Sequence, residues 1–294
     1  MSATVPVPVR TRPARDLGLL RRRRLADGIA TVLCFAATVI VLAALASILW
    51  TLVANGIGGL TLRTLTHVTA PAGEKGGLLN PIVGSIIQVA LATLLGTPVG
   101  LMAGIYLAEY GNGSQVANAV RFVSDMLLSA PSILVGLFVY LLLVAPFHQF
   151  SGFAGVAALS ILVIPIVVRT TEDMLRLVPV SMREAAAALG APHWKVVLLI
   201  CVRAARAGLM TGVLLAIARI SGETAPLLFT SLGNLNWSLS LGREMASLPV
   251  TIYQYASSPD DDWVQLAWTA ALLITAGVLF INIVARLGMR RQDR

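Results

Sequence analysis

The run Ile29-Ala-Thr-Val-Leu-Cys-Phe-Ala-Ala-Thr-Val-Ile-Val-Leu-Ala-Ala-Leu-Ala-Ser-Ile-Leu-Trp-Thr-Leu-Val53 is uncharged from end to end. It exceeds the about 20 residues that a helix needs to cross a hydrocarbon core. Arg21–Arg24 stand just ahead of it, as in a secretory signal. The run is too long for such a signal and offers no small-residue cleavage site, so it reads as a retained anchor. Five further apolar runs follow, near Ile82–Tyr106, Val123–Pro146, Phe153–Val168, Ala207–Pro226 and Val264–Leu287, of which the fourth is the shortest. Hydrophobic residues make up 57% of the chain and charged residues 12%, and mean hydropathy is +0.82, too apolar for an ordinary soluble domain. The expectation is an all-α, polytopic membrane protein with about six transmembrane helices.

Charge placement sets an expected orientation. Of 22 Lys and Arg, only Arg63, Lys75 and Arg243 fall on one side of the spans, with Arg219 left inside a span. All the others lie before the first span, between the second and third, between the fourth and fifth, or after the sixth. By the positive-inside rule both termini face the cytoplasm. This asymmetry accounts for the net charge of +8 without nucleic-acid binding. Residues 1–20, with Pro6, Pro8 and Pro13, read as an unstructured tail. The division expected is a cytoplasmic tail over 1–25, an anchor helix and outward loop over 26–80, a transmembrane domain over 81–288 and a second cytoplasmic tail over 289–294. Cys34 and Cys201 suggest neither a disulfide nor a metal site, and His67, His148 and His193 fall in different loops.

Between the fourth and fifth runs lies Ser181-Met-Arg-Glu-Ala-Ala-Ala-Ala-Leu-Gly-Ala191. Ser181 and Glu184 have capping-box spacing, Ala185–Ala188 favour helix with little bulk, Gly190 suits a left-handed cap and Pro192 blocks continuation. A slim helix of about two turns should protrude there, shaped to sit in another protein's groove. The order Glu184-Ala185-Ala186, Gly190 and Ile200 resembles the cytoplasmic coupling loop of ABC-importer permeases. That resemblance implies the type I ABC-importer permease fold and docking on a separate ATPase through Glu184, Ala185, Ala186 and Gly190. No Gly-x-x-x-x-Gly-Lys-Ser/Thr occurs in the chain, so ATP and Mg are expected on the partner and no cofactor on this chain. Such loops close with Ile-x-Leu-Pro, whereas this one reads Ile200-Cys201-Val202-Arg203, which removes the proline that would kink the next span.

Within the spans, Gly96, Gly100 and Gly104 recur every fourth residue, a spacing that lets helices approach closely. Ala130-Pro131-Ser132-Ile133 and Gly136 should bend the third span and admit a neighbour. The fifth span carries the charges. Arg219 follows Arg206 at a helical distance of roughly 20 Å, past the middle of the core, where an ionisable residue is costly and functional by default. Glu223 lies one turn on, with Gly222 and Pro226 loosening the helix beside it. Two readings stand: an intrahelical ion pair that neutralises itself, or a relay in which Arg219 offers its fork to a tetrahedral oxyanion while Glu223 accepts from a protonated oxygen.

The stretch from Arg219 through Gly-Glu-Thr-Ala-Pro to Thr230 is similar to the fifth-span signature of PstA-type permeases of phosphate ABC importers. Pro165–Glu172, Met245–Tyr253 and Ser257–Asp260 agree with the same family. The resemblance implies import of inorganic phosphate, with Arg219 and Glu223, and more weakly Arg169, along the substrate path. It implies a homologous PstC-type permease, a PstB-type ATPase dimer and an external PstS-type binding protein as partners, in a bacterial cytoplasmic membrane with its lipid and without nucleic acid. Another oxyanion such as sulfate or molybdate, or a non-transporting scaffold for phosphate sensing, are the alternatives. In the outward segment Ser231–Trp263 a short helix is expected over Leu248–Tyr255, with Asp260–Asp262 at the rim, capping the sixth span or meeting the binding protein.

Overall fold

The computed structural model describes residues 17–111 and 113–292. The tail expected over 1–25 lies outside them as far as residue 16. From Leu17 on the chain is helical rather than unstructured: α1 runs Leu17–Gly56, and its 22–51 portion buries no residue. That portion forms one unit up to Thr51, and the rest of the chain is a second compact unit. The second unit carries α2 (Leu62–Thr66), α3 (Leu79–Ile105), α4 (Gln115–Ser129), α5 (Ser132–Val139), α6 (Gly152–Arg176), α7 (Val180–Ala188), α8 (His193–Lys195), α9 (Val202–Ser221), α10 (Ala225–Thr230), α11 (Leu248–Ala256) and α12 (Asp261–Gln292). Among the described residues five helical stretches are long and apolar enough to cross a membrane, or six if the bent pair of α4 with α5 counts as one.

The expected fourth span proves longer than Phe153–Val168, and its helix α6 is the axle of this unit. Polar Thr170–Asp173 hides its last turns from a hydropathy reading, yet Thr171 and Glu172 are buried. Glycine spacing explains the packing on it. A methyl at Gly96, Gly100 or Gly104 would lie 2.9, 2.7 or 2.5 Å from Val163, Val167 or Thr171 in turn, so α3 runs parallel to α6 at a separation only glycine permits. On α9, Gly208 and Gly212 meet Met174 and Thr170, an antiparallel register. Around this centre Ala92, Val135, Leu159, Val163, Ala216, Ile220 and Leu227 form the largest apolar cluster.

Two expectations about local geometry change, and the entry to the fifth span is unkinked as its missing proline implies. The third span, expected over Val123–Pro146, starts at Gln115 and is broken rather than merely bent: its two arms meet at 106°. Ala130 is forced extended (φ −68°, ψ 140°) by Pro131 behind it, because a residue before proline is disfavoured in the helical region. The capping box at Ser181 and Glu184 does not form. Pro179, at φ −57° and ψ 138°, occupies the cap position without a side-chain bond, so Ser181 already lies in the first turn. At the entry to the fifth span, where the usual proline is missing, a π-helical segment Val196–Cys201 joins α8 to α9 without a break, and the span reads through from His193 to Ser221. Gly190 does adopt the left-handed conformation, at φ +78°.

At the opposite end from α7, residues 231–247 fold back against α3 and α6. The Gly152 and Phe153 amides donate to the Arg243 and Leu241 carbonyls at 2.9 and 2.8 Å, and Asn80 Nδ2 donates to the Asn234 carbonyl at 2.9 Å. Helix α11 covers the short helix expected over Leu248–Tyr255. Asp260 caps α12, accepting from the Asp262 and Trp263 amides at 3.0 and 3.2 Å, and its second oxygen accepts from Gly73.

Candidate functional site

The break between α9 and α10 brings two charges together. Helix α9 ends at Ser221, Gly222 and Glu223 close its last turn through weak bonds of 3.4 and 3.2 Å to the Arg219 and Ile220 carbonyls, and Pro226, whose ring cannot continue a ladder, lies in the first turn of α10. Pro226 in turn is seated in the space left by Gly136 of α5, where a methyl would come within 2.7 Å of its Cα. Ile220, next to Arg219, is in the central cluster with Leu159, Leu162 and Ile166 from the middle of α6, so the break lies midway along the bundle. The opposite edge of α9 is open: Thr211, Leu215 and Arg219, one turn apart, are all exposed.

Arg219 Nε stands 3.8 Å from Glu223 Oε1, with the arginine side chain 41% exposed and the glutamate 15%. That separation is too long for a hydrogen bond. The guanidinium donates no hydrogen bond to any described residue, so its donors remain available. The loosening that Gly222 and Pro226 suggest in the sequence is present.

Arg169 is not part of this arrangement. It lies on α6 beside Thr170, the residue that meets Gly212, about two turns from Arg219 toward the α7 end. There it reaches Asp125 of α4 at 3.7 Å and Asp173 at 3.4 Å, with all three side chains half exposed.

Glu184, Ala185, Ala186 and Gly190 share the exposed α7 and its cap. Exposed Leu177, Val180, Met182, Leu189 and Trp194 surround them. Beneath the helix a cavity of about 270 Å³ is lined by Glu109, Arg183, Glu184 and His193 among others, and His193 meets the Tyr110 ring edge-on at 5.0 Å.

Sequence reasoning passed over two buried carboxylates at this end. Glu172, 4% exposed, accepts from Arg121 Nε at 2.8 Å and Arg176 Nη2 at 2.6 Å. Glu109, 3% exposed, accepts from Arg183 Nη1. Arg121, Arg176 and Arg183 count only as topology markers in a charge tally, although an acid at the end of an apolar run is a signal that such a cation has a specific partner.

The assembly of long apolar helices defines a polytopic membrane protein. Its fold matches a solved structure titled "Inward facing conformations of the MetNI methionine ABC transporter" with a TM-score of 0.61 at 19% identity, covering 74% of this chain and 96% of that one. Such low identity speaks for the fold alone. Residues 96–294 match the family model described as "Binding-protein-dependent transport system inner membrane component", and the chain belongs to that family. It is a multi-pass membrane protein and a transport component rather than an enzyme. Its relatives include the "Phosphate transport system permease protein PstA" of Pasteurella multocida (strain Pm70), 53% identical over 90% of this chain and 95% of the relative. The protein of the same name from Haemophilus influenzae is 57% identical over 82% and 85%, and "PstA 1" of Mycobacterium tuberculosis (strain H37Rv) is 38% identical over 97% and 95%.

Proposed function

We propose that this chain is the PstA-type permease subunit of an ATP-driven importer that moves inorganic phosphate across the bacterial cytoplasmic membrane. In this reading 81–288 form the translocating domain behind the anchor and outward loop of 26–80, and the tails at 1–25 and 289–294 are cytoplasmic. A PstC-type permease completes the path, a PstS-type binding protein delivers phosphate to the face bearing α11, and a PstB-type ATPase dimer, holding ATP and Mg, engages Glu184, Ala185, Ala186 and Gly190 on α7. This chain binds no cofactor of its own.

The observation that carries the proposal is the Arg219 guanidinium, at mid-bundle and 41% exposed, which donates no hydrogen bond to any described residue and meets Glu223 only in a loose ion pair at 3.8 Å. A planar fork of donors suits a tetrahedral oxyanion, and in low dielectric its charge compensates the anion. Glu223 suits a substrate that keeps a proton, since a carboxylate can accept from a protonated phosphate oxygen and not from sulfate. The high identity to proteins named as phosphate permeases supports the same substrate.

The test is uptake of labelled phosphate by sealed vesicles holding the complete complex, with and without ATP. ATP-dependent uptake that excess phosphate competes and sulfate or molybdate does not is the expected result. Competition by sulfate would assign another oxyanion, and assembled complex without uptake would leave a sensing scaffold.

A further inference from the structure

Helix α7 packs mainly on the π-helical segment Val196–Cys201 that follows it, and few of its own side chains hold it to the rest of the unit. None of its residues is buried, and along Val180–Ala188 all but the half-buried Arg183 and Ala186 are exposed. Ala186 contributes a single methyl to the cluster around Leu175, Val178 and Cys201. Arg183 contributes two directed bonds, Nη1 to Glu109 Oε2 and Nη2 to the Leu175 carbonyl at 2.7 Å. A planar fork fixes both direction and distance, which a methyl contact does not.

The two prongs land on different helices. Leu175 is in the last turn of α6. Glu109 is in the π-helical turn Tyr106–Tyr110 that finishes α3, and the same turn gives its Leu107 carbonyl to Arg121 Nη2 of α4 at 3.0 Å. A π turn interrupts the regular backbone ladder, and here that one turn accepts from two other helices. Beyond it, Gly96, Gly100 and Gly104 hold α3 against α6 with no slack, and a packed contact of this kind transmits displacement rather than absorbing it. Glu109 has no second bond to share the load: Oε1 is buried without a hydrogen-bond partner.

We infer that the Arg183–Glu109 pair is the rigid link through which movement of α7 reaches the joined α3 and α6, so that these two are positioning residues setting how much transport each ATP drives. The inference rests on the importer reading above. It assigns the pair a task separate from docking, which belongs to the exposed face of α7, and separate from fold stability.

The experiment uses the complete complex in sealed vesicles and reads three quantities: basal ATP hydrolysis, its stimulation by loaded binding protein, and phosphate taken up per ATP. The double variant Arg183→Gln/Glu109→Gln leaves no unpaired buried charge. It should assemble and keep basal hydrolysis while losing the stimulation, with uptake per ATP down at least about fivefold, the low end of ordinary coupling between sites. In a background with Cys34→Ser and Cys201→Ala, Arg183→Cys/Glu109→Cys should show the same loss, and bridging the two thiols with a short bifunctional reagent should restore most of it. Stimulation and uptake per ATP at wild-type levels in the double variant, or a loss that bridging leaves untouched, overturns the link. Should the double variant fail to assemble, Arg183→Lys decides, because it keeps the charge and lacks the fork: a reduced ratio supports the link and a wild-type ratio overturns it. Wild-type vesicles that take up no phosphate would count against the substrate reading alone, and stimulation of hydrolysis would then decide the link.

Discussion

Two meetings of carboxylate and guanidinium in this molecule differ in every term that sets their worth. At the α7 end Glu172 is buried to 4% and shared by Arg121 and Arg176 at 2.8 and 2.6 Å, distances at which charge-assisted hydrogen bonds are strong. In the break after α9, Glu223 faces one arginine at 3.8 Å, and that arginine is 41% exposed. The first arrangement spends its charge holding α4 to α6. The second leaves charge unspent at mid-bundle, where only a ligand or a partner subunit can use it. Burial with full pairing is a structural signature, whereas an expensive charge left half paired is a functional one.

The sharpest way to break this contrast is to remove the tight carboxylate. Glu172→Ala strands the guanidinium of Arg121, which is only 23% exposed, while Arg176, at 54%, can turn to solvent and contributes little. The expected loss is about 3 kcal/mol, the lower end for breaking a buried pair. Thermal unfolding of the protein in detergent should show a clear fall in midpoint, and the yield of assembled complex should drop with it. A variant as stable as wild type would mean that Glu172 is not what fastens α4 to α6.

Arg219→Gln should do the reverse, leaving unfolding and assembly alone while phosphate uptake falls about 30-fold or more, the equivalent of the 2 kcal/mol or more lost on truncating one side of a functional charge pair. Arg219→Lys should recover only part of it, since a point charge does not reproduce the fork. The double variant Arg219→Gln/Glu223→Gln separates the two readings of the pair. If the two charges merely neutralise each other, the double variant regains uptake because no buried charge is left alone. Uptake that stays lost in the double variant is the expected result.

What the sequence yields and what it hides divide along the same line. The spans are legible because uncharged runs as long as Ile29–Val53 have few other physical uses, and the glycine ladder is legible because Gly96, Gly100 and Gly104 share a helix face. The left-handed turn at Gly190 follows from the same local chemistry. Length fails at α6, because Thr170–Asp173 reads as a polar boundary until α3, α4 and α9 are known to cover Thr170–Glu172. Nor does the size of the break at Pro131 follow from local signals: proline predicts a bend, but 106° depends on where α4 packs. The loosened helix around Arg219 and Glu223 is visible in Gly222 and Pro226. Arg176 is one turn from Glu172, but Arg183 as partner of Glu109 and Arg121 as partner of Glu172 are not visible, because they are far away in sequence and arrive only through the π turn and the α4–α6 contact.

Arg169 sharpens the comparison, since it falls between the two extremes. Like Arg219 it is half exposed, and like Arg121 it has carboxylates to hand, Asp125 at 3.7 Å and Asp173 at 3.4 Å. Both partners are themselves more than half exposed, so solvent and salt screen the interaction, whose contribution to stability stays below about 1 kcal/mol. Two negative neighbours also make this a poor resting place for an anion, because a phosphate arriving there must compete with carboxylates already in place. Arg169→Gln should therefore leave thermal unfolding within about 1 kcal/mol of wild type and lower uptake far less than Arg219→Gln does, in the same vesicles. Any effect should shrink as ionic strength rises toward 1 M, where the screening length drops to about 3 Å. A loss of uptake equal to that of Arg219→Gln would show that two flanking carboxylates do not disqualify an arginine from the path, and the contrast between paired and unpaired charge would lose its power to locate the substrate route.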